Sequence, residues 1–291
     1  MGVTKLELGH EGDRLPRMKP FLFRCGRAVL FTYGVLLLLA AGCQNRILYQ
    51  PQRGSETDFI AAGRRKNIQP WRDAQGRLIG WHRPNPRAAH RLVVFHGNAG
   101  CALDRDYYIA AFGALGGGAD WEVRILEYPG YGSRPGALGR TACLQAGRDA
   151  LQELLAADSR PLFLLGESIG SGTACALAAE MPDRIAGLAL VVPFARLQEV
   201  AREKFPWLPV GLLLRDKFDN LAALAAYRGP VAVVIAAEDE VVGAAQGRKL
   251  HAGYGGPKRL IVLEGAGHNS IDVRPEAGWF RETSEFLLRS R

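Results

Sequence analysis

Six short, nearly uninterrupted apolar runs, set between longer amphipathic stretches, restrict this chain more than any other feature. They cover residues 92–95, 123–126, 162–165, 188–192, 231–237 and 260–263. A strand with one wet face alternates polar and apolar side chains, whereas a strand apolar throughout needs cover on both faces. Helix-like segments fill the intervals, at 104–115, 141–156, 171–181, 244–252 and 276–289. Alternation of this kind predicts one α/β domain: a mostly parallel central sheet with helices on both faces. Ahead of it, 59–69 and 78–82 read as an antiparallel strand pair around a turn at 73–76.

The chemistry is expected at strand ends. After the run at 162–165 comes Gly166-Glu167-Ser168-Ile169-Gly170, then a helix of small residues. A serine lifted above a sheet on a sharp strand–turn–helix bend needs glycine two residues away on either side, because larger side chains would collide. Ser168 is therefore the candidate nucleophile. A hydroxyl needs a base, and the base an orienting acid. Among six histidines, His268 sits in a glycine loop after the last strand, able to swing over the sheet edge. His96 lies in His96-Gly97-Asn98-Ala99-Gly100 and is expected to buttress that loop. Asp239, in the acidic turn after the 231–237 strand, is the candidate acid, with Glu238, Glu240 and Glu264 as alternatives. Two amides are expected to hold an oxyanion: Ile169, at a helix N-terminus, and Asn98, in the His-Gly loop.

Five segments together, HGNAG (96–100), YPGYG (128–132), GESIG (166–170), AAEDEVV (236–242) and GAGHN (265–269), resemble the α/β-hydrolase superfamily in order and spacing. The resemblance spans 58–291 and implies the α/β-hydrolase fold with a Ser168–Asp239–His268 triad. It is nearest to the short-cap, membrane-anchored serine hydrolases, a branch with depalmitoylase-like and peptidase-like members. It also implies a short cap at 193–228. Glu127, Pro129 and Gly243 depart from that pattern, where Asp, Arg and Pro are common. Phe194, Phe205, Trp207, Leu208, Val210 and 212–214 are candidates either for an acyl pocket or for the domain's own core.

The first 42 residues read as an address. Residues 28–42 are uncharged and mostly apolar, too short at 15 residues for the roughly 20 of a membrane span but suited to a signal-peptide core. Met18-Lys19 opens a basic stretch ahead of it, and 1–17 read as an upstream extension. Leu39-Ala40-Ala41-Gly42-Cys43 resembles the bacterial lipobox, although Leu is commoner where Ala40 stands. That resemblance implies a lipid on Cys43, a tether over 43–57, and a lipoprotein of the bacterial envelope facing the periplasm. The alternative is an uncleaved N-terminal anchor helix extended by Ile47 and Leu48.

The +8 net charge first suggests nucleic acid or an anionic membrane. No Lys/Arg run or aromatic-basic ladder follows the leader, so nucleic acid is not an expected partner. Cys101, Cys143 and Cys175 have no metal-ligand spacing. The expected activity is cleavage of a small acyl ester or thioester, with no cofactor or metal required. A serine peptidase is one alternative, and a non-catalytic lipoprotein that binds through the same fold is another.

Overall fold

A computed structural model describes residues 18–118 and 121–290. The chain divides into two compact units at the Gly42/Cys43 boundary. Helix α1 (Met18–Leu48) contains a stretch, Phe23–Leu48, that is long and apolar enough to cross a membrane.

The second unit opens with a segment expected as a tether, which is instead stitched to the domain. Gln50 N–H donates to the Asn98 carbonyl at 2.9 Å, and Gln52 N–H to that of Gly100 at 2.8 Å. Helix α2 (Glu56–Arg65) follows, and it corrects the strand expected over 59–69. Its signals are legible: Ser55 caps it by accepting the Asp58 N–H at 3.1 Å, acids fill the first turn, and Arg64 and Arg65 close the last. The β-branched Ile60 and Ile68 and the aromatic Phe59 lend that stretch its strand character. The true strand, β1 (Gln69–Arg72), begins where the expected one ended, and pairs antiparallel with β2 (Leu78–His82).

The remaining elements follow the expected alternation. They are β3 (His90–Phe95), α3 (Asp106–Ala114), β4 (Trp121–Leu126), α4 (Arg140–Ala157), β5 (Leu162–Glu167), α5 (Gly170–Glu180) and β6 (Ile185–Val191). An insertion then carries three short helices, α6 (Leu197–Lys204), α7 (Val210–Leu213) and α8 (Asn220–Leu224). Strand β7 (Val231–Ala236), α9 (Ala244–Gly253), β8 (Lys258–Leu263) and α10 (Gly278–Arg289) complete the chain.

The eight strands lie in the order β8-β7-β6-β5-β3-β4-β2-β1, parallel from β8 to β4 and antiparallel at the β2 and β1 edge. Alternate residues feed opposite faces. Val93, Phe95, Leu164 and Leu190 join the core on the α4 and α5 side, while Leu92, Val94, Phe163, Leu165 and Val191 join the one against α3 and α10. That two-sided burial is what the continuous apolar runs required.

Register decides where function can sit. Phe95 pairs with Gly166 and with Leu126, and Gly166 with Leu190, so the C-terminal ends of four neighbouring strands stop level. The loops leaving those ends converge on one rim of the sheet.

Candidate active site

Strand β5 ends in a bend that only these residues allow. Ser168 has φ +52°, in the left-handed region, and its N–H is held by the Val191 carbonyl at 2.9 Å. A methyl group at Gly166 would overlap the backbone of Ser171, and one at Gly170 the carbonyl oxygen of Phe95. The bend is locked from below: Ser171 Oγ donates to the Ser168 carbonyl at 2.6 Å and accepts from Asn220 Nδ2 at 3.0 Å. Of three non-glycine residues with positive φ among the described residues, two, Ser168 and Val192, line one cavity. Strain of this kind gathers where the surrounding structure over-determines it.

His268 arrives from the loop after β8. Its Nε2 accepts from Ser168 Oγ at 3.1 Å, and its Nδ1 donates to Asp239 Oδ2 at 2.8 Å. The other Asp239 oxygen accepts the N–H groups of Val241 and Val242 at 2.9 and 2.8 Å. Burial pushes the Asp239 carboxyl up, but the hydrogen bonds from His268 and the backbone outweigh it and hold it below the usual carboxylate range. The alternative acids stand elsewhere: Glu238 and Glu264 are exposed, and Glu240 accepts the backbone N–H of His268 at 3.2 Å.

Both expected oxyanion donors lie close to Ser168 in the fold. Ile169 directly precedes α5, and Asn98 lines the cavity. Among the described residues neither amide donates a hydrogen bond within the protein. The Asn98 carbonyl is tied down by Gln50 N–H at 2.9 Å and Tyr131 Oη at 2.7 Å, which fixes the loop. His96 is fully buried, with Nδ1 donating to the Gly97 carbonyl at 2.8 Å and Nε2 lying 3.5 Å from Glu127 Oε1. It holds the loop and is not at Ser168.

One group at the site escapes a motif-based reading. Glu167, beside the candidate nucleophile, accepts from Arg105 Nη2 at 3.1 Å and from the hydroxyls of Tyr107 and Tyr108 at 2.7 and 3.0 Å. Burial raises its carboxyl, but Arg105 and the two tyrosines hold it below the ordinary value. The signal was available: a carboxylate directly after an all-apolar central strand must find partners or not ionise. Arg105, Tyr107, Glu167, Ser168 and His268 share a cavity of about 240 Å³ with Asn98.

The insertion does not supply an acyl pocket to that cavity. Phe194, Val210 and Leu214 are buried in the core, whereas Phe205, Trp207 and Leu212 are exposed. None of the six lines the cavity at Ser168.

A serine hydroxyl, an imidazole and a carboxylate in one hydrogen-bonded line is an arrangement suited to acyl transfer. Comparison with known proteins agrees with the fold. The alpha/beta hydrolase fold family model matches residues 90–226. The uncharacterized protein Rv2307c of Mycobacterium tuberculosis is 32% identical over 252 residues, covering 84% of this chain and 86% of that protein. Human alpha/beta hydrolase domain-containing protein 17B is 26% identical over 194 residues, or 66% of this chain and 64% of that one. Among solved structures, the esterase Pf2001 of Pyrococcus furiosus superposes with a TM-score of 0.61 at 17% identity, over 84% of this chain and 98% of its own. With sheet order, strand-end loops and relatives in agreement, this chain belongs to the α/β-hydrolase superfamily.

Proposed function

We propose that the protein is a membrane-tethered serine hydrolase that cleaves a carboxylic ester or thioester through an acyl-enzyme. The observation that carries this reading is the continuous line from Ser168 Oγ through His268 to Asp239, at 3.1 and 2.8 Å. Ser168 Oγ attacks the carbonyl carbon while its proton passes to His268 Nε2. Asp239 keeps the other imidazole proton on Nδ1 and stabilises the cation that forms. The amides of Asn98 and Ile169 bind the developing oxyanion, the second helped by its place at a helix N-terminus. His268 then gives its proton to the leaving oxygen or sulfur. A water gives a proton to His268 and attacks the acyl carbon; the bond to Ser168 Oγ breaks, the acid leaves, and His268 passes that proton to Ser168 Oγ.

The tether is a lipid on Cys43, with α1 itself as an uncleaved anchor the competing form. Cys43 is exposed, as a lipidation site must be. Replacing it, Cys43→Ser, abolishes metabolic palmitate labelling if the lipid is there; unchanged labelling leaves the anchor helix as the tether.

A fluorophosphonate probe tests the chemistry directly. The wild-type protein takes one label, on Ser168, and turns over acyl esters or thioesters of some chain length. Folded Ser168→Ala takes none. Labelling that persists in that variant would remove the nucleophile, and no labelling of wild type would favour a binding role for the fold.

A further inference from the structure

From Cys43 onward, few large apolar side chains among the described residues reach solvent. Among the described residues from Cys43 onward, the exposed ones are Ile47, Phe205, Trp207, Leu212 and Val241. Three of the five fall within eight residues of the insertion, and contacts join the others to them. Gln44 clasps the insertion through both ends of its amide: Nε2 donates to the Leu213 carbonyl at 3.1 Å, and Oε1 accepts the Arg215 N–H at 2.8 Å. Ile47 follows Gln44 by three residues, and Leu212 directly precedes Leu213. The rings of Phe205 and Trp207 meet at 6.4 Å, and Lys204 bonds the Glu240 carbonyl, next to Val241. Soluble domains scatter exposed apolar residues singly; a contiguous group with a polar rim marks a docking surface.

We infer that this face of the insertion docks onto the lipid surface to which the chain is tethered, with Trp207 and Leu212 entering the headgroup–acyl boundary. The inference rests on the tethering proposed above, and two observations select lipid as the occupant. Gln44, which clasps the patch, is the residue after Cys43, so the point of tethering adjoins it covalently. Exposed bases also flank it: Arg46, Arg202, Lys204, Arg215 and Lys217, none in a salt bridge among the described residues, against two exposed acids beside them, Glu203 and Glu240. Apolar side chains set among unneutralised bases fit an anionic bilayer, where each base near the surface adds to binding and each ring sits at the interface.

The protein carries its own reporter. Of its five tryptophans, Trp71, Trp81, Trp121 and Trp279 are buried, and only Trp207 is exposed. The full chain is reconstituted in phosphatidylcholine–phosphatidylglycerol vesicles whose acyl chains are brominated. We expect co-flotation, quenching of tryptophan emission that Trp207→Phe removes, and protection of Trp207 from aqueous acrylamide. Leu212→Asp should cut the brominated-lipid quenching at least twofold while co-flotation persists. The pair Arg215→Glu and Lys217→Glu should do so only when phosphatidylglycerol is present. Co-flotation with an unquenched Trp207 overturns the docking face and leaves the tether standing; failure to co-float overturns both. Acrylamide protection that grows with protein concentration in the absence of vesicles would assign the face to a second copy, and that too overturns it.

Discussion

The bend at 166–170 and the insertion between β6 and β7 touch each other, yet they obey different rules. In the bend, backbone atoms stand so close that Gly166 and Gly170 could carry no side chain without overlap, and Ser168 is held at φ +52°. The insertion covers part of the core with Phe194, Val210 and Leu214 and leaves Phe205, Trp207 and Leu212 in the open. Residue identity is dictated where backbone packs on backbone. It is loose where side chains only have to cover a surface. The same contrast predicts how each region answers substitution.

The largest effects belong to the bend and its partners. Ser168→Ala and His268→Ala should each lower kcat by on the order of 10⁶-fold, and the double variant by scarcely more, because both act on one proton transfer. Single-turnover rates measured on variants shown to be folded by thermal melts check this. Additive losses would mean that the two side chains do not work as a unit. Asp239→Asn follows at about 10⁴-fold, through the wrong imidazole tautomer. Glu240→Gln and Glu264→Gln should cost far less, since neither side chain meets the imidazole. Near-full activity in Asp239→Asn would remove it as the acid.

What could be read from the sequence follows the same division. The strand runs and the placing of Ser168, Asp239 and His268 in the loops that leave strand ends were legible, because sheet burial and the tight bend each admit few residue types. The helix at Glu56–Arg65 hides behind the strand-forming side chains of Phe59, Ile60 and Ile68, although Ser55, Glu56, Asp58 and the terminal arginines signal its ends. The Gln44 clasp and the Asn220 link were not legible. Each is one amide reaching far along the chain, and nothing local announces such a contact.

Acidification sharpens the comparison at intermediate size. Asp239 and Glu167 both have carboxyls held below their ordinary values of about 3.9 and 4.3. Sign matters here: a depressed carboxyl contributes stability that is fully present above its unfolded value and is lost as pH falls through the folded one. Both groups therefore stay ionised through mild acid, and the fold they support persists. Activity lost on mild acidification, with circular dichroism and melting temperature unchanged, then comes from neither of these carboxyls. Activity and melting temperature falling together below about pH 4 would instead report Glu167 and Asp239 themselves.

The smallest effect on chemistry is expected where the two regions are joined. Asn220, 1% exposed, lies in the insertion, and its Nδ2 donates to Ser171 Oγ at 3.0 Å and to the Phe194 carbonyl at 2.9 Å. Ser171 in turn holds the Ser168 carbonyl at 2.6 Å. Asn220→Ala removes the donor that serves two buried acceptors, Ser171 Oγ and the Phe194 carbonyl, which costs about 1–3 kcal/mol of stability. For a domain of this size that lowers the melting temperature by several degrees, at about 2–4 °C per kcal/mol. Ser171 still reaches the Ser168 carbonyl, so the bend keeps its shape and kcat should fall only a few-fold, with KM unchanged. Ser171→Ala removes the direct bond to the bend and should lower kcat more than Asn220→Ala at similar stability loss. A hundredfold loss of kcat in a stable Asn220→Ala protein would reverse that order. The insertion would then be part of the catalytic geometry, and the division between a dictated region and a covering one would have to be redrawn around Asn220.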